Sequence, residues 1–329
     1  MGSLLTDQEI QEDILHHFQR LFGLRIEAVD PIRKGWLNLK WKVETNDGTY
    51  LLKQYHKERL KKYSIAELKH VYQIQNYLHR HSFPTPKIHT NGTDLFLQSS
   101  GGEYFIVLDY CSGNTVNAGK LTDSQMFDLG YYTGKLHYIL KNNFSSVHHT
   151  TAFQPPKKEV RYSYWASMRN NVLAQNKHHL EHIFEQQLKL LEIVNPVAFI
   201  THHTGLSHRD LWVDNILFQP DELAAILDFD RMKYDFLTLD IGRAVISGAL
   251  DGEQFKVHHA LAFLEGYRYF HPRETGLLTK SLKLLWYMES QWWLDTELDT
   301  RKGPPKRFVH EMLWLSEHLL ELEDMLNNQ

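Results

Sequence analysis

The stretch Leu206-Ser207-His208-Arg209-Asp210-Leu211-Trp212-Val213-Asp214-Asn215-Ile216-Leu217-Phe218, with Leu223-Ala224-Ala225-Ile226-Leu227-Asp228-Phe229-Asp230 shortly after it, decides how the rest of the chain is read. Two apolar runs, Ile216 to Phe218 and Leu223 to Leu227, flank Gln219-Pro220-Asp221-Glu222, and turn residues between two such runs predict a β-hairpin. With the turn centred between Asp221 and Glu222, Asn215 falls opposite Asp228. Facing residues of an antiparallel pair have Cβ atoms about 4.5–5.5 Å apart. An amide and a carboxylate brought together in this way are hard oxygen donors, the kind that Mg²⁺ takes alongside phosphate oxygens. Asp210, in the loop before the first strand, then lies beside that ion, placed to accept a proton from an attacking hydroxyl.

Upstream, Leu39-Lys40-Trp41-Lys42-Val43-Glu44 alternates apolar and charged residues, the period of a half-buried strand. Asn46-Asp47-Gly48 is a turn, and Tyr50 to Lys53 is the returning strand, so Lys53 belongs to a sheet. Leu68, Val71, Ile74 and Leu78 recur at helical spacing over Ile65–Leu78, with Glu67 near the start. Tyr104 to Leu108 is a short apolar run that predicts a buried strand leading into the linker Asp109-Tyr110-Cys111-Ser112-Gly113. Beyond it the pattern is helical, opened by the capping-box sequence Thr122-Asp123-Ser124-Gln125.

A chain of 329 residues is long enough for about two domains. Its 36 Lys and Arg against 40 Asp and Glu leave no excess positive charge to neutralise a nucleic-acid backbone, so nucleic acid is not an expected partner. The one cysteine, Cys111, cannot form an intrachain disulfide, which fits a reducing, cytoplasmic compartment. No run approaches the roughly 18 apolar residues of a membrane span, so no membrane partner is expected.

His-x-Asp, four residues, Asn, then an apolar strand ending in Asp resembles the protein-kinase-like superfamily, and within it the aminoglycoside phosphotransferase and choline kinase family. Leu129-Gly130-Tyr131-Tyr132-Thr133-Gly134-Lys135-Leu136-His137 resembles that family's Leu-Gly to Leu-His helix, and Asp240-Ile241-Gly242-Arg243 its Asp-Leu-Ala step. Phe263-Leu264-Glu265-Gly266-Tyr267 resembles homoserine-kinase-like members, and spore-coat-associated kinase-like proteins are similar in organisation. No Ala-Pro-Glu follows Asp228, unlike the long activation segment of eukaryotic protein kinases.

The resemblance implies a bilobal α+β fold: residues 1–110 as a small β-sheet lobe that binds nucleotide, and residues 111–329 as a mostly helical lobe with the catalytic loop, metal site and acceptor pocket. It implies ATP and Mg²⁺ as cofactors and a small-molecule hydroxyl as acceptor. Carried over by position, Lys53 holds the ATP phosphates and Glu67 fixes that lysine, while Gly35 and Asn38 belong to the phosphate-covering loop. Leu51 covers the adenine, and Leu108, Asp109 and Tyr110 supply the backbone edge that binds it. Asn215 and Asp228 bind Mg²⁺, Asp210 is the base, and His208 and Asp240 support the loop. The loop Lys34-Gly35-Trp36-Leu37-Asn38 has one glycine where kinases have several, and Arg209 stands where this family usually has a small residue, often Gly. A non-catalytic kinase-like binding or scaffold protein is the alternative reading, and a protein kinase a third.

Leu282, Leu285, Trp286, Glu289, Trp292 and Trp293 share one helical stripe, so Glu289 is an acid in apolar surroundings that needs a partner. It is either a structural acid paired with an Arg or a backbone group, or, with Trp286, Trp292 and Trp293, the wall of an acceptor pocket suited to an amine. The five His-His pairs lack a zinc frame or matching carboxylate spacing and are expected to act on net charge in mild acid.

Overall fold

The computed structural model describes residues 6–33, 38–92, 94–144, 150–201, 203–220, 222–272, 275–298, 300 and 306–327. The chain forms two compact units, Met1–Gly113 with Ala224–Asp230, and Asn114–Leu223 with Arg231–Gln329.

The first unit begins with α1 (Asp7–Phe22), where the Thr6 hydroxyl accepts from the Glu9 N–H and the Glu9 carboxylate accepts from the Thr6 N–H. This reciprocal cap satisfies two donors that a helix start leaves open. Strands β1 (Ile26–Pro31), β2 (Lys40–Thr45) and β3 (Thr49–Tyr55) follow, then α2 (Lys57–Leu60), α3 (Ile65–Arg80), β4 (Ile88–His89), β5 (Leu97–Gln98) and β6 (Tyr104–Asp109). They build one antiparallel sheet in the order β1-β2-β3-β6-β4, with β5 also on β6.

The alternation expected at Leu39–Glu44 is realised in β2: Trp41 and Val43 are buried and Lys40, Lys42 and Glu44 are half-buried. Trp41, Val43, Leu52, Phe105 and Val107 meet Ile14 and Phe18 of α1, which forms the core on one sheet face. Because strand side chains alternate, Lys53 lies on the other face, in register with Lys40.

The second unit is mostly helical. The capping box opens α4 (Asp123–Phe144): Gln125 N–H donates to the Thr122 hydroxyl at 3.2 Å and Thr122 N–H to the Gln125 side chain at 3.1 Å. Helices α5 (Lys158–Ala174) and α6 (Glu181–Ile193) precede β7 (Thr204–Ser207). The expected hairpin is present as β8 (Ile216–Phe218) and β9 (Leu223–Ile226). Its turn is closed by Gln219 N–H to Glu222 C=O at 2.9 Å, earlier than the centre read from the sequence. Asn215 ends a 3-10 turn, Val213–Asn215, and Asp228 lies beyond the end of β9, so the ladder register does not set their placement. The local cause is that the Asn215 N–H is bonded to the Trp212 carbonyl, which curls the chain before the strand.

β10 (Lys233–Phe236) pairs with β7 and leads into α7 (Leu237–Ala249), every residue of which is buried, as expected of a helix apolar on nearly all sides. After β11 (Leu250–Asp251) and β12 (Gln254–Phe255), α8 (Val257–Arg268) packs on α4. The glycines of the Leu-Gly and Glu-Gly-Tyr motifs explain how closely: a Cβ at Gly130 would lie 1.9 Å from the Phe263 carbonyl oxygen, and one at Gly266 would lie 2.1 Å from that of Phe127. Helices α9 (Leu277–Trp293), α10 (Lys306–His318) and α11 (Leu322–Asn327) complete the unit. Among the described residues no helix is long and apolar enough to cross a membrane.

Between α4, α8 and β7 lies a histidine cluster: His137 Nδ1 and His203 Nε2 are 3.0 and 2.9 Å from the Tyr267 hydroxyl, and His271 stacks on the Tyr267 ring. Burial first, and then the neighbouring His137, pushes His203 and His271 down to about 4 from an ordinary 6.5. Between those two values the unfolded chain takes up protons that the native state refuses, so stability is lost as pH falls through that window. Urea unfolding measured at a series of pH values should show this loss. A His203→Gln/His271→Gln variant should flatten its slope by up to about two protons, and an unchanged slope would contradict the assignment.

Candidate active site

In the first unit the chemistry gathers around Lys53, which is only 5% exposed. Its ammonium donates to Asp228 Oδ1 at 2.9 Å and to Asp230 Oδ2 at 2.7 Å. Asp230 Oδ1 in turn accepts from the hydroxyls of Tyr55 on β3, at 2.8 Å, and Tyr72 on α3, at 3.2 Å. The segment carrying both aspartates is tied to this unit by Ile226 N–H to Pro84 C=O at 2.8 Å. Burial would lower the Lys53 ammonium, but Asp228 and Asp230 outweigh it and hold it above the ordinary lysine range. Burial would likewise raise the Asp228 carboxyl, yet Lys53, Lys40 and Arg59 keep it well below the usual carboxylate range. Asp228 has φ +61°, a left-handed backbone that a non-glycine residue adopts at a cost and that is concentrated at functional sites.

The partner expected for Lys53, Glu67, does not have that place: it is exposed in the first turn of α3, where its N–H is capped by Ser64. A buried ammonium is best satisfied by buried carboxylates, and α3 reaches Lys53 through Tyr72 and Asp230 instead. Asn38 is buried and accepts the His56 N–H at 3.1 Å. Gly35 lies outside the described residues. Leu51 is half-buried, in register with Leu108, and shares the Lys53 face. The edge expected at Leu108–Tyr110 is changed in one respect. Asp109 N–H is bonded to Lys87 C=O and Tyr110 N–H to Thr49 C=O, so these two donors are consumed by the sheet. The Asp109 side chain is held by His89 Nε2 at 2.6 Å, and that hydrogen bond, opposed by burial, lowers its carboxyl.

In the second unit, fully buried Asp240 organises the loop that carries Asp210. Asp240 accepts from the N–H groups of His208 at 2.7 Å and Arg209 at 2.8 Å, from the Ser207 hydroxyl at 2.7 Å and from Arg243 Nη1 at 3.2 Å. Burial opposes its ionisation, but His137 and Arg243 hold it below the ordinary range. His208, fully buried, accepts the Asp210 N–H on Nδ1 at 3.3 Å. Arg209 has φ +64°, the conformation glycine supplies without cost, and it is kept there by the Asp240 bond and by Asp235 Oδ2, 2.7 Å from its Nε. Asn215 Nδ2 donates to the Asp210 backbone oxygen at 2.8 Å and to its Oδ2 at 3.1 Å. Arg231, half exposed, places Nη1 3.5 Å from Asp210 Oδ1.

The acceptor pocket expected around Glu289 is not what α9 builds. Glu289 is 2% exposed and Arg243 grips it through Nε, at 2.8 Å, and Nη2, which is the structural alternative. Trp286 is buried with its N–H on Gln187 Oε1 at 2.9 Å, Trp292 packs on Phe153, and Trp293 stacks on Phe308. The three rings therefore have separate neighbours and form no common wall. A different acid, Glu311, is the one that burial pushes up to about 8, against the pull of Arg307.

Sequence reading passed over Asp230, Tyr55, Tyr72 and Arg231. Tyr55 stands two residues after Lys53 on β3, a spacing that puts both on one strand face, so a signal was present for it, whereas Asp230 lies in the 3-10 turn Phe229–Arg231 beyond β9, where strand alternation does not apply. For Tyr72 and Arg231 no local pattern marks the contact.

Residues 28–278 match the family model described as the phosphotransferase enzyme family. The homoserine kinase of Zymomonas mobilis subsp. mobilis is 22% identical over 311 residues, covering 90% of this chain and 92% of that one. An aminoglycoside phosphotransferase from Alicyclobacillus acidocaldarius superposes with a TM-score of 0.60 at 13% identity, over 100% of this chain and 96% of that one. Choline kinase from Cryptosporidium parvum Iowa II does so at 0.55 and 16%, over 92% and 90%. The small antiparallel sheet followed by a helical region is thus the protein-kinase-like α+β fold of these phosphotransferases.

The two buried ion clusters make separate demands on stability. Asp230→Asn leaves Lys53 with Asp228, and Glu289→Gln leaves Arg243 with Asp240. Each should lower the unfolding free energy by about 1.5–3 kcal/mol, the worth of a hydrogen bond to a charged group. Urea denaturation checks both, and a change within about 0.5 kcal/mol, typical of a surface substitution, would contradict the pairing.

Proposed function

The chain belongs to the phosphotransferase enzyme family, a small-molecule kinase in kind, and we propose that it transfers the γ-phosphoryl group of ATP, with Mg²⁺, to a hydroxyl of a small polar molecule. The observation that carries this reading is the orientation of Asn215. Both of its hydrogen bonds use the amide nitrogen, on Asp210, which leaves the carbonyl oxygen as the atom it presents to a cation. The family resemblance assigns Mg²⁺ to this oxygen and to the carboxylate of Asp228, which Lys53 holds ionised, and both are hard oxygen donors of the kind Mg²⁺ takes. Bound there, the ion would neutralise charge on the phosphate oxygens.

This chain's own residues supply the rest. Lys53 offers a permanently charged ammonium to the phosphates, and its pairs with Asp228 and Asp230 hold it in place until nucleotide arrives. Asp210 receives the acceptor's proton, its carboxylate oriented by Asn215 and Arg231 and its backbone by His208. Leu51 covers the base beside the strand edge at Leu108–Tyr110, where the N–H groups of Asp109 and Tyr110 are already bonded within the sheet. Catalysis in this design comes from positioning and charge neutralisation, because phosphoryl transfer asks for little covalent participation from protein. The homoserine and choline kinase relatives support a small polar acceptor that bears an amine. A cytoplasmic location belongs to the same reading.

Thermal unfolding with and without Mg²⁺-ATP tests the nucleotide site, since a ligand of the native state raises stability by RT ln(1 + [L]/Kd). The shift should require Mg²⁺ and vanish in Asp228→Ala. No shift at millimolar ATP would transfer the weight to a non-catalytic scaffold. Once an acceptor is in hand, Asp210→Ala should lower turnover by about 10²–10⁴-fold, the usual worth of a general base, and near-normal turnover would sink its assignment.

A further inference from the structure

Of the five His-His pairs, one acquires in three dimensions the carboxylate that its own stretch of sequence lacks. His258 and His259 stand in the first turn of α8, and Asp123 is the first residue of α4, the helix on which α8 packs. His259 Nε2 is 3.6 Å and His258 Nε2 is 3.9 Å from Asp123 Oδ1. One ligand atom from each residue, two imidazole nitrogens and a carboxylate oxygen, lies within 4.8 Å of the other two. The His259 ring is buried, while the side chains of Asp123 and His258 are exposed, so an ion from solution can reach all three.

These contacts are longer than the roughly 2.7–3.2 Å of a hydrogen bond. An ion pair would need a protonated imidazole, yet burial first, and then the neighbouring His258, lowers His259 from its ordinary value against the opposing pull of Asp123. The His259 ring is therefore mostly neutral at neutral pH, the form that ligates a metal. Two ligand atoms on a tetrahedral Zn²⁺, each about 2.0–2.2 Å from it, are about 3.3–3.6 Å apart. Asp123 and His259 already stand at that separation, and a small rotation of the exposed His258 ring closes the rest. The adjacent cation, Lys256, has its ammonium taken up by the Gly119 carbonyl at 2.8 Å and by Asp251 at 3.0 Å. The two helix starts carry partial positive charge that opposes a cation, and the Asp123 carboxylate offsets it. Imidazole in the donor set selects Zn²⁺ over Mg²⁺ or Ca²⁺, which take oxygen.

We propose that Asp123, His258 and His259 bind Zn²⁺, with water in the fourth position, as a clip between the starts of α4 and α8. The clip reaches further than two helices. From the first turns of α4, Gln125 Nε2 donates to the Pro220 carbonyl at 3.1 Å, and Asp128 Oδ2 accepts the Leu223 N–H at 3.0 Å, so the same helix start holds both sides of the hairpin turn. The ion stabilises this part of the helical unit and takes no part in the chemistry at Asp210. The site stands whether or not the chain transfers phosphate.

The test uses the full chain, freed of metal with a chelator, and Zn²⁺ or Co²⁺ alone. Calorimetric titration should find one equivalent of Zn²⁺ bound more tightly than the background that 21 histidines provide. Thermal unfolding should move upward with that equivalent, and Co²⁺ should give the visible absorption of a four-coordinate ion. Excess Mg²⁺ should not displace either metal. Asp123→Asn and His258→Gln change exposed side chains, so both variants should fold. Each should weaken the tight equivalent by at least about 10–100-fold, the cost of losing even an outer partner of a metal ligand. The double variant His178→Gln/His179→Gln, which removes a His-His pair outside the cluster, should leave it unchanged. Zinc bound only as background, an undiminished tight equivalent in Asp123→Asn and His258→Gln, an equal loss in the His178/His179 variant, or displacement by Mg²⁺ would each overturn the proposal.

Discussion

The first unit depends on one buried charge. A buried ammonium on the sheet face opposite α1, with Lys40 in register beside it, is tolerated only if carboxylates reach it. They come from 175 and 177 residues further along the chain, as Asp228 and Asp230. That demand explains why Ala224–Asp230 returns to the sheet's unit although its neighbours on both sides belong to the other one. Asp230 then extends the constraint to α3 through Tyr72 and to β3 through Tyr55, so sheet, helix and returning segment share one network.

The helical unit applies the same logic to its own loop. Asp240 accepts from two successive backbone N–H groups and from Ser207, and those bonds hold Arg209 in a left-handed conformation that a side chain resists. Arg243 and Glu289 complete the surroundings of Asp240 from α7 and α9. Arg161 is buried to the same degree but has no carboxylate among the described residues, and its Nε and Nη2 have no hydrogen-bond partner.

Much of the fold was legible because its signals are local. The alternation over Leu39–Glu44, the turn at Asn46–Gly48, the helical spacing over Ile65–Leu78 and the capping box at Thr122 each involve residues within one or two turns of each other. The motif glycines were legible as a pattern only. That Gly130 and Gly266 are needed because α4 and α8 nearly touch is a fact about two helices. Glu67 and Glu289 show the limit in opposite ways. Glu67 has the right spacing for Lys53 but sits exposed at a helix start. Glu289 sits in the right kind of stripe, but its oxygens were claimed by an arginine 46 residues away.

By itself the sequence determined the strand and helix pattern, the presence of a hairpin after the His-Arg-Asp loop, and the residue types able to carry phosphoryl transfer, because periodicity, turn chemistry and side-chain chemistry are properties of short segments. Only the tertiary structure decided who partners whom: Lys53 with two aspartates, Asn215 with Asp210, Arg243 with Glu289, and Arg161 with no carboxylate among the described residues. The physical reason is that the energy of a buried charge is set by the few ångströms around it, and sequence spacing does not specify which distant side chain fills that space.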